Sequence, residues 1–188
     1  MGGEALGDVR VAYGKGMSEW CSNCHGSIAA DSATTHFIHP SSNLAVLGST
    51  IATNYNQYVK SGDLTGGSGV SYTSLVPIEE GITTLATLKS HVNTAGAGTG
   101  STQGPTTGTE TVMCLSCHRA HASAFNHMTR WDNDFEFITE GGAYPTSTSS
   151  GTLYNSTDYT AGMYNRPATA SIFATYQRSL CNKCHVKD

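Results

Sequence analysis

The stretch MSEWCSNCHG, residues 17–26, places two cysteines and a histidine within five consecutive positions. The same Cys-x-x-Cys-His pattern recurs at residues 114–118 and 181–185, so all six cysteines of the chain lie in three copies of it. Only 8 of the 188 residues are histidine, so chance is a poor explanation for a histidine directly after every cysteine pair. This repeated pattern decides how the rest of the sequence is interpreted.

Cys-x-x-Cys-His is the attachment signature of c-type haem. Its two thiols bond to the porphyrin edge, and the histidine that follows supplies the proximal iron ligand. Disulfides or a zinc site are the alternatives, but three separate pairs are poor scaffolding for disulfides and leave one pair over from a four-thiolate site. The sequence therefore predicts three covalent haem c groups held by Cys21, Cys24, Cys114, Cys117, Cys181 and Cys184, with His25, His118 and His185 as proximal ligands.

The composition indicates a poor side-chain core for a chain of this length. Leu, Ile, Val and Phe make up 31 of the 188 residues, whereas Ser, Thr and Gly make up 67. Charged residues are only 13% and the net charge is −4, which favours neither a charged disordered chain nor a nucleic-acid-binding protein. We therefore expect the haems to supply much of the apolar interior.

The length predicts one trihaem domain over residues 1–188. The expected fold is mostly irregular coil with short α-helices wrapped around three covalent haems, and little β-structure. Residues 112–125 and 171–187 have helix-like patterns, residues 70–76 alternate loosely as a strand would, and residues 94–109 and 141–151 are predicted loops. We expect no membrane span, and any secretory signal to have been removed or never present.

Five histidines lie outside the three motifs, and three six-coordinate irons need three distal ligands. His121 follows His118 by three residues, a spacing that puts both rings on one face of a helix. Since this spacing is too short to grip both faces of one haem, His121 is predicted to ligate a neighbouring haem. His36 and His39, in HFIHP, have the same spacing and are predicted to serve two haems.

The remaining histidines and methionines are weaker candidates. His91 and His127 are predicted to be non-ligands, and Met128 and Met163 stay as alternative axial ligands. Histidine on both faces of a haem gives a lower reduction potential than a histidine and methionine pair.

The segments MSEWCSNCH, HFIHPSSN, VMCLSCHRAHASAF, TRWD and YQRSLCNKCHVKD resemble small multihaem c-type cytochromes of dissimilatory metal-reducing bacteria, of the Geobacter type. The resemblance touches both ends and the middle of the chain. It implies that the second histidine of CHRAH, His121, ligates an adjacent haem. Some members of this group are extracellular and polymerise into filaments with a continuous haem chain, and those members carry more than three haems.

The predicted function is electron transfer along bis-His low-spin haems, without enzymatic activity, because no catalytic motif accompanies the haem motifs. The expected location is extracellular or at the cell surface, with the periplasm as the alternative. The expected partners are identical subunits in a linear head-to-tail polymer, in which His36 or His39 ligates a haem of the neighbouring subunit, and redox proteins or extracellular electron acceptors. The alternatives are a monomeric periplasmic carrier and a haem reductase or peroxidase with one open iron position.

Overall fold

The computed structural model describes residues 10–26, 41–92, 102–106, 109–120, 123–145 and 163–185. Its α-helices and strands in these ranges are α1 (Met17–Ser22), α2 (Gly48–Gln57), α3 (Leu85–His91), α4 (Cys114–Cys117), β1 (Phe137–Thr139) and β2 (Gln177–Arg178). Short 3-10 helices span Ser68–Val70, Asn126–Met128 and Leu180–Lys183. Most of the remaining described chain is turns and coil, so the predicted fold class of short helices in irregular coil is confirmed.

The interior of the described chain is rich in aromatic side chains. The rings of Tyr144 and Tyr164 stack with their centroids 4.6 Å apart, and Phe173 meets both edge-on. Tyr55 and Tyr144 are buried, and each donates its hydroxyl proton to a backbone carbonyl at 2.8 Å. Counting only Leu, Ile, Val and Phe underestimated this core, because tyrosine supplies much of it once its hydroxyl is paired.

Four separate segments meet through isolated β-bridges around Glu79. Glu79 pairs in parallel with Tyr13 and antiparallel with Thr111, and Thr111 also pairs with Val46. The segment that contains Tyr13 leads into α1, and the segment that contains Thr111 leads into α4. The bridges therefore set the separation between the helices that carry the first and second Cys-x-x-Cys-His motifs.

The third motif docks on the C-terminal end of α2. Lys183 donates from Nζ to the carbonyls of Tyr55 at 2.9 Å and Tyr58 at 2.7 Å, and the ammonium lies over the Tyr55 ring. A positive charge is favoured where a helix leaves its last carbonyls without partners. This interaction explains how the lysine can be only 4% exposed.

Three predictions of local structure are wrong. The helix predicted over residues 112–125 ends at Cys117, because His118 becomes extended and pairs with Thr129. The helix predicted over residues 171–187 is replaced, in its described part up to residue 185, by turns, β2 and a 3-10 helix, because Gln177 and its neighbour pair with β1. Residue 70 ends a 3-10 helix and residues 71–76 form turns and coil rather than a strand.

The two predicted loops lie only partly within the described residues, and their described parts are irregular or turn. Among all the residues that the structure describes, no helix is long and apolar enough to cross a bilayer.

Candidate haem-binding sites

The three Cys-x-x-Cys-His motifs form the same local turn. In each motif the histidine backbone N–H donates to the carbonyl of the first cysteine at 3.0 Å. This bond between residues i and i+4 closes one helical turn, so two thiols and one imidazole come from a single turn of chain. The bonded pairs are His25 with Cys21, His118 with Cys114 and His185 with Cys181.

The second motif is held by hydrogen bonds from distant parts of the chain. The backbone N–H of its first residue donates to the Ser18 hydroxyl of α1 at 3.1 Å. The buried Ser116 hydroxyl donates to the carbonyl of Pro77 at 2.6 Å. Arg130 donates its backbone N–H to the carbonyl of Cys117 at 2.8 Å and its Nε to another motif carbonyl at 2.5 Å. These contacts fix where the turn lies, in addition to the bond that closes it.

The His118 ring is oriented by a backbone carbonyl. Its Nδ1 lies 2.8 Å from the carbonyl oxygen of His127, which can only accept, so Nδ1 carries the proton. In this tautomer of the neutral ring Nε2 has the free lone pair, and the side chain is exposed. Histidines that bind metal usually donate their other ring N–H in this way. The second motif therefore fits a haem iron at His118 Nε2.

The turn that presents this carbonyl is conformationally unusual. His127 and Met128 both have φ of 58°, a left-handed conformation that non-glycine residues seldom adopt and that often marks functional sites. The Arg119 N–H donates to the carbonyl of Met128 at 2.8 Å, so the chain doubles back alongside the motif. The prediction that His127 is not a ligand missed this backbone role, for which the sequence carries no signal.

The second motif lies close to both of the others. Burial raises the pKa of the Cys21 thiol, and a hydrogen bond with Cys114 raises it further. Burial raises the pKa of Cys117 to about 11, with a smaller contribution from Cys181. Burial raises the pKa of Cys184 to about 12, with a smaller contribution from Cys117. The thiols of the second motif therefore lie close enough to those of the first and third motifs for the groups to affect each other's pKa values.

All six cysteines lie within the described residues and are free of disulfides. In that part of the chain, no group of three or more His, Cys, Asp or Glu residues is placed to hold a metal ion. The thiols of Cys117 and Cys184 lie in low-dielectric surroundings, as their raised pKa values indicate. Such surroundings suit sulfur that is joined to an apolar macrocycle.

The predicted distal ligands His36, His39 and His121 lie outside the described residues. Their ligation stays a prediction. One argument for His121 is wrong, since the helix that would have placed it on one face with His118 ends at Cys117.

Two weaker candidates have partners within the described structure. His91 contacts the Glu80 carboxylate through Nδ1, and the same carboxylate pairs with Arg10 at 2.9 Å. The Met163 sulfur accepts the N–H of Ala124 at 3.2 Å. His91 is thus part of a charged cluster, and Met163 packs against the chain that follows the second motif.

Comparison with known proteins places this geometry in context. No family model matches the chain. The C-type cytochrome OmcS of Geobacter sulfurreducens is 47% identical over 195 aligned residues, which cover 98% of this chain and 43% of OmcS. The cryo-EM structure of OmcS nanowires matches with a TM-score of 0.81 and 43% identity, over 99% of this chain and 46% of the solved one.

A second solved structure, the outer membrane cytochrome S filament of the same organism, matches with a TM-score of 0.83 and 46% identity over the same shares of the two chains. This chain therefore spans less than half the length of the relatives it matches. Over that span both sequence and fold agree, and the chain is similar to the c-type cytochromes of Geobacter, as its motifs predicted.

Proposed function

We propose that this chain carries electrons along a row of three covalently attached haem c groups. Haem iron supplies the one-electron chemistry, and the protein sets spacing, ligation and exposure. The main support is the proximity of the second motif to both of the others, shown by the hydrogen bond between Cys21 and Cys114 and by the electrostatic effect of Cys117 on Cys184. Groups attached at adjoining motifs lie next to one another, as a continuous electron path requires.

Each motif residue has one role in this proposal, within a single trihaem domain over residues 1–188. The thioethers form at Cys21, Cys24, Cys114, Cys117, Cys181 and Cys184, and the proximal ligands are His25, His118 and His185. The distal ligands are His36, His39 and His121. Two histidines on every iron leave no position for a substrate, so the proposed role is electron transfer without enzymatic activity.

We also propose that subunits containing this chain assemble into an extracellular filament. The two solved structures that share its fold are described as OmcS nanowires and as an outer membrane cytochrome S filament. The proposed partners are identical subunits in linear head-to-tail order, together with redox proteins or extracellular acceptors. A head-to-tail contact uses two different surfaces, so it extends without closing unless the rotation makes a ring.

Mass spectrometry and spectroscopy of the matured protein test the haem assignment. The denatured mass should equal the polypeptide plus three haems, and the spectrum should be low-spin. His121→Ala should keep three haems while one iron becomes high-spin, whereas His127→Ala should leave the low-spin spectrum unchanged. A bare polypeptide mass would refute attachment, and an unchanged spectrum in His121→Ala would refute that ligand. Fast cyanide or carbon monoxide binding by the wild type would instead favour a reductase or peroxidase.

Electron microscopy tests the filament. His36→Ala and His39→Ala are compared with the wild type, and loss of filaments together with one five-coordinate iron per chain is expected from one of them. A wild type that stays monomeric at high concentration, with every iron ligated twice by its own chain, contradicts the proposal and favours a monomeric carrier.

A further inference from the structure

Four buried oxygen atoms belong to side chains in or next to the segments that meet around Glu79. None of the four has a hydrogen-bond partner, although a hydrogen bond of the backbone or of the other carboxylate oxygen holds each residue in place. Such atoms are uncommon in folded proteins and call for a donor or an ion. They are Glu19 Oε2, Asn43 Oδ1, Glu79 Oε2 and Thr111 Oγ1.

Backbone pairing places two of these atoms together. Glu79 and Thr111 exchange both backbone hydrogen bonds, at 3.1 and 2.8 Å, as directly opposed residues of an antiparallel pair. Directly opposed residues project their side chains to the same face. Glu79 and Thr111 are 0% and 3% exposed, so the carboxylate and the hydroxyl share a face that is closed to solvent.

The other two atoms are linked to this face through α1. The Glu79 carboxylate accepts the N–H of Gly16, the residue before α1, and Glu19 is the third residue of that helix. Burial raises the pKa of Glu79, and the nearby Glu19 carboxylate raises it further. The other carboxylate oxygen of Glu19, Oε1, accepts the backbone N–H of Asn43 at 2.8 Å. The four residues therefore form one connected group.

The chemistry of this group suits a hard cation. Carboxylate, amide and hydroxyl oxygens are the ligands that calcium prefers, and water molecules complete its shell. The positive charge that acts on Glu79 is that of Lys15. This residue is exposed, and it lowers the pKa of Glu79 by less than burial raises it. We propose that Glu19 and Glu79, with the neutral oxygens of Asn43 and Thr111, bind one calcium ion between the first two motifs.

The position of this site gives the ion a mechanical role. Glu19 lies two residues before Cys21, and Thr111 lies three residues before Cys114. Because these two cysteines are themselves in contact, an ion held by both segments would fix the spacing of the first two attachment turns. Two carboxylates with neutral oxygens make a weak site, of the class with dissociation constants of roughly 10⁻⁴–10⁻³ M found in extracellular modules.

Calcium binding to the matured protein is the test, after removal of metal with a chelating resin. Equilibrium dialysis against calcium chloride should show one ion per chain, and calcium should raise the melting temperature. Glu79→Gln and Glu19→Gln should each weaken binding at least tenfold. Glu136→Gln is the matched control, because its carboxylate is 64% exposed and pairs with Arg178 away from the site.

Thr111→Val keeps the size of the side chain, so it tests the site even if the two glutamine variants fail to fold. It should weaken calcium binding several-fold while the haem spectrum is unchanged. Absence of calcium uptake by the wild type overturns the proposal, as does equal uptake by the wild type and both glutamine variants. The haem spectrum and haem mass are read separately, so failure of this site leaves the proposed electron-transfer function intact.

Discussion

The first and second Cys-x-x-Cys-His motifs have the same local turn but different surroundings. The second motif donates hydrogen bonds to Ser18 and Pro77 and accepts one from Arg130 Nε. In the first motif, Cys24 and His25 are exposed, and the described hydrogen bonds of these two residues go to the first cysteine of the same turn. The neighbouring helix start is nevertheless tied to the rest of the chain, through Glu79.

The formation of the motif turn and the contacts that hold it in place depend on different residues. The five-residue signature forms the turn wherever it occurs, since the closing bond is internal to it. How firmly the turn is held depends on residues far away in sequence, and these differ between the motifs. We therefore expect equivalent substitutions at the two motifs to have unequal effects.

The largest difference should follow loss of a haem. Replacing both cysteines of the second motif with alanine should destabilise the protein by about 4 kcal/mol or more, since a cavity opens beside both neighbouring motifs. The same change at Cys21 and Cys24 should cost roughly half as much. Denaturant unfolding followed by circular dichroism, with haem loss checked by mass, measures both. Equal losses would show that the surroundings of the two turns do not matter.

Removal of the Arg130 side chain should be the next largest effect. Arg130→Met removes the Nε bond to Leu115 and the Nη1 bond to Ser74 at 3.3 Å, and hydrogen bonds to charged groups contribute about 1.5–3 kcal/mol each. We expect a loss of about 2–4 kcal/mol in the free energy of unfolding. Arg178→Met, in an exposed ion pair with Glu136, should cost less than about 1 kcal/mol. Similar losses in the two variants would contradict a special anchoring of the second motif.

Residue 127 tests the orientation of His118 through the backbone. His127→Val places a β-branched side chain at φ of 58° and should cost about 1–2 kcal/mol while shifting the reduction potential of one haem. His127→Gly suits this conformation and should leave both quantities close to those of the wild type. Redox titration and thermal melting distinguish the two outcomes. An unchanged reduction potential in the valine variant would show that the His127 carbonyl does not affect the haem through His118.

The smallest effect concerns the tie of the first motif through Glu79. Burial raises the pKa of Glu79 above its ordinary value of 4.5, so the folded protein favours the protonated form. The stability contributed by this group is therefore complete below pH 4.5 and is lost as the pH rises through the raised value. In chelator, the melting temperature of the wild type should fall across this window relative to that of Glu79→Gln. Parallel curves for the two proteins would show that Glu79 does not titrate in the folded state there.

The success and failure of the sequence predictions have a common physical origin. Every motif forms the same turn, because its closing bond needs only five consecutive residues. Helix lengths were wrong where His118 and Gln177 pair with chain that is distant in sequence. The orientation of His118 was missed, because it depends on two left-handed residues that no local pattern announces.

The sparse regular structure and the resemblance to Geobacter cytochromes could both be derived from the amino-acid sequence, since each depends on residue identity or on short spacing, and haem attachment stays a prediction from the same motifs. The position of the second motif beside α1 could not, since the bond from Cys114 to Ser18 joins residues 96 positions apart. The buried oxygens around Glu79 likewise come from four segments that meet only in the folded chain. Tertiary structure decided these features because spacing along the chain carries no information about which distant segments pack together.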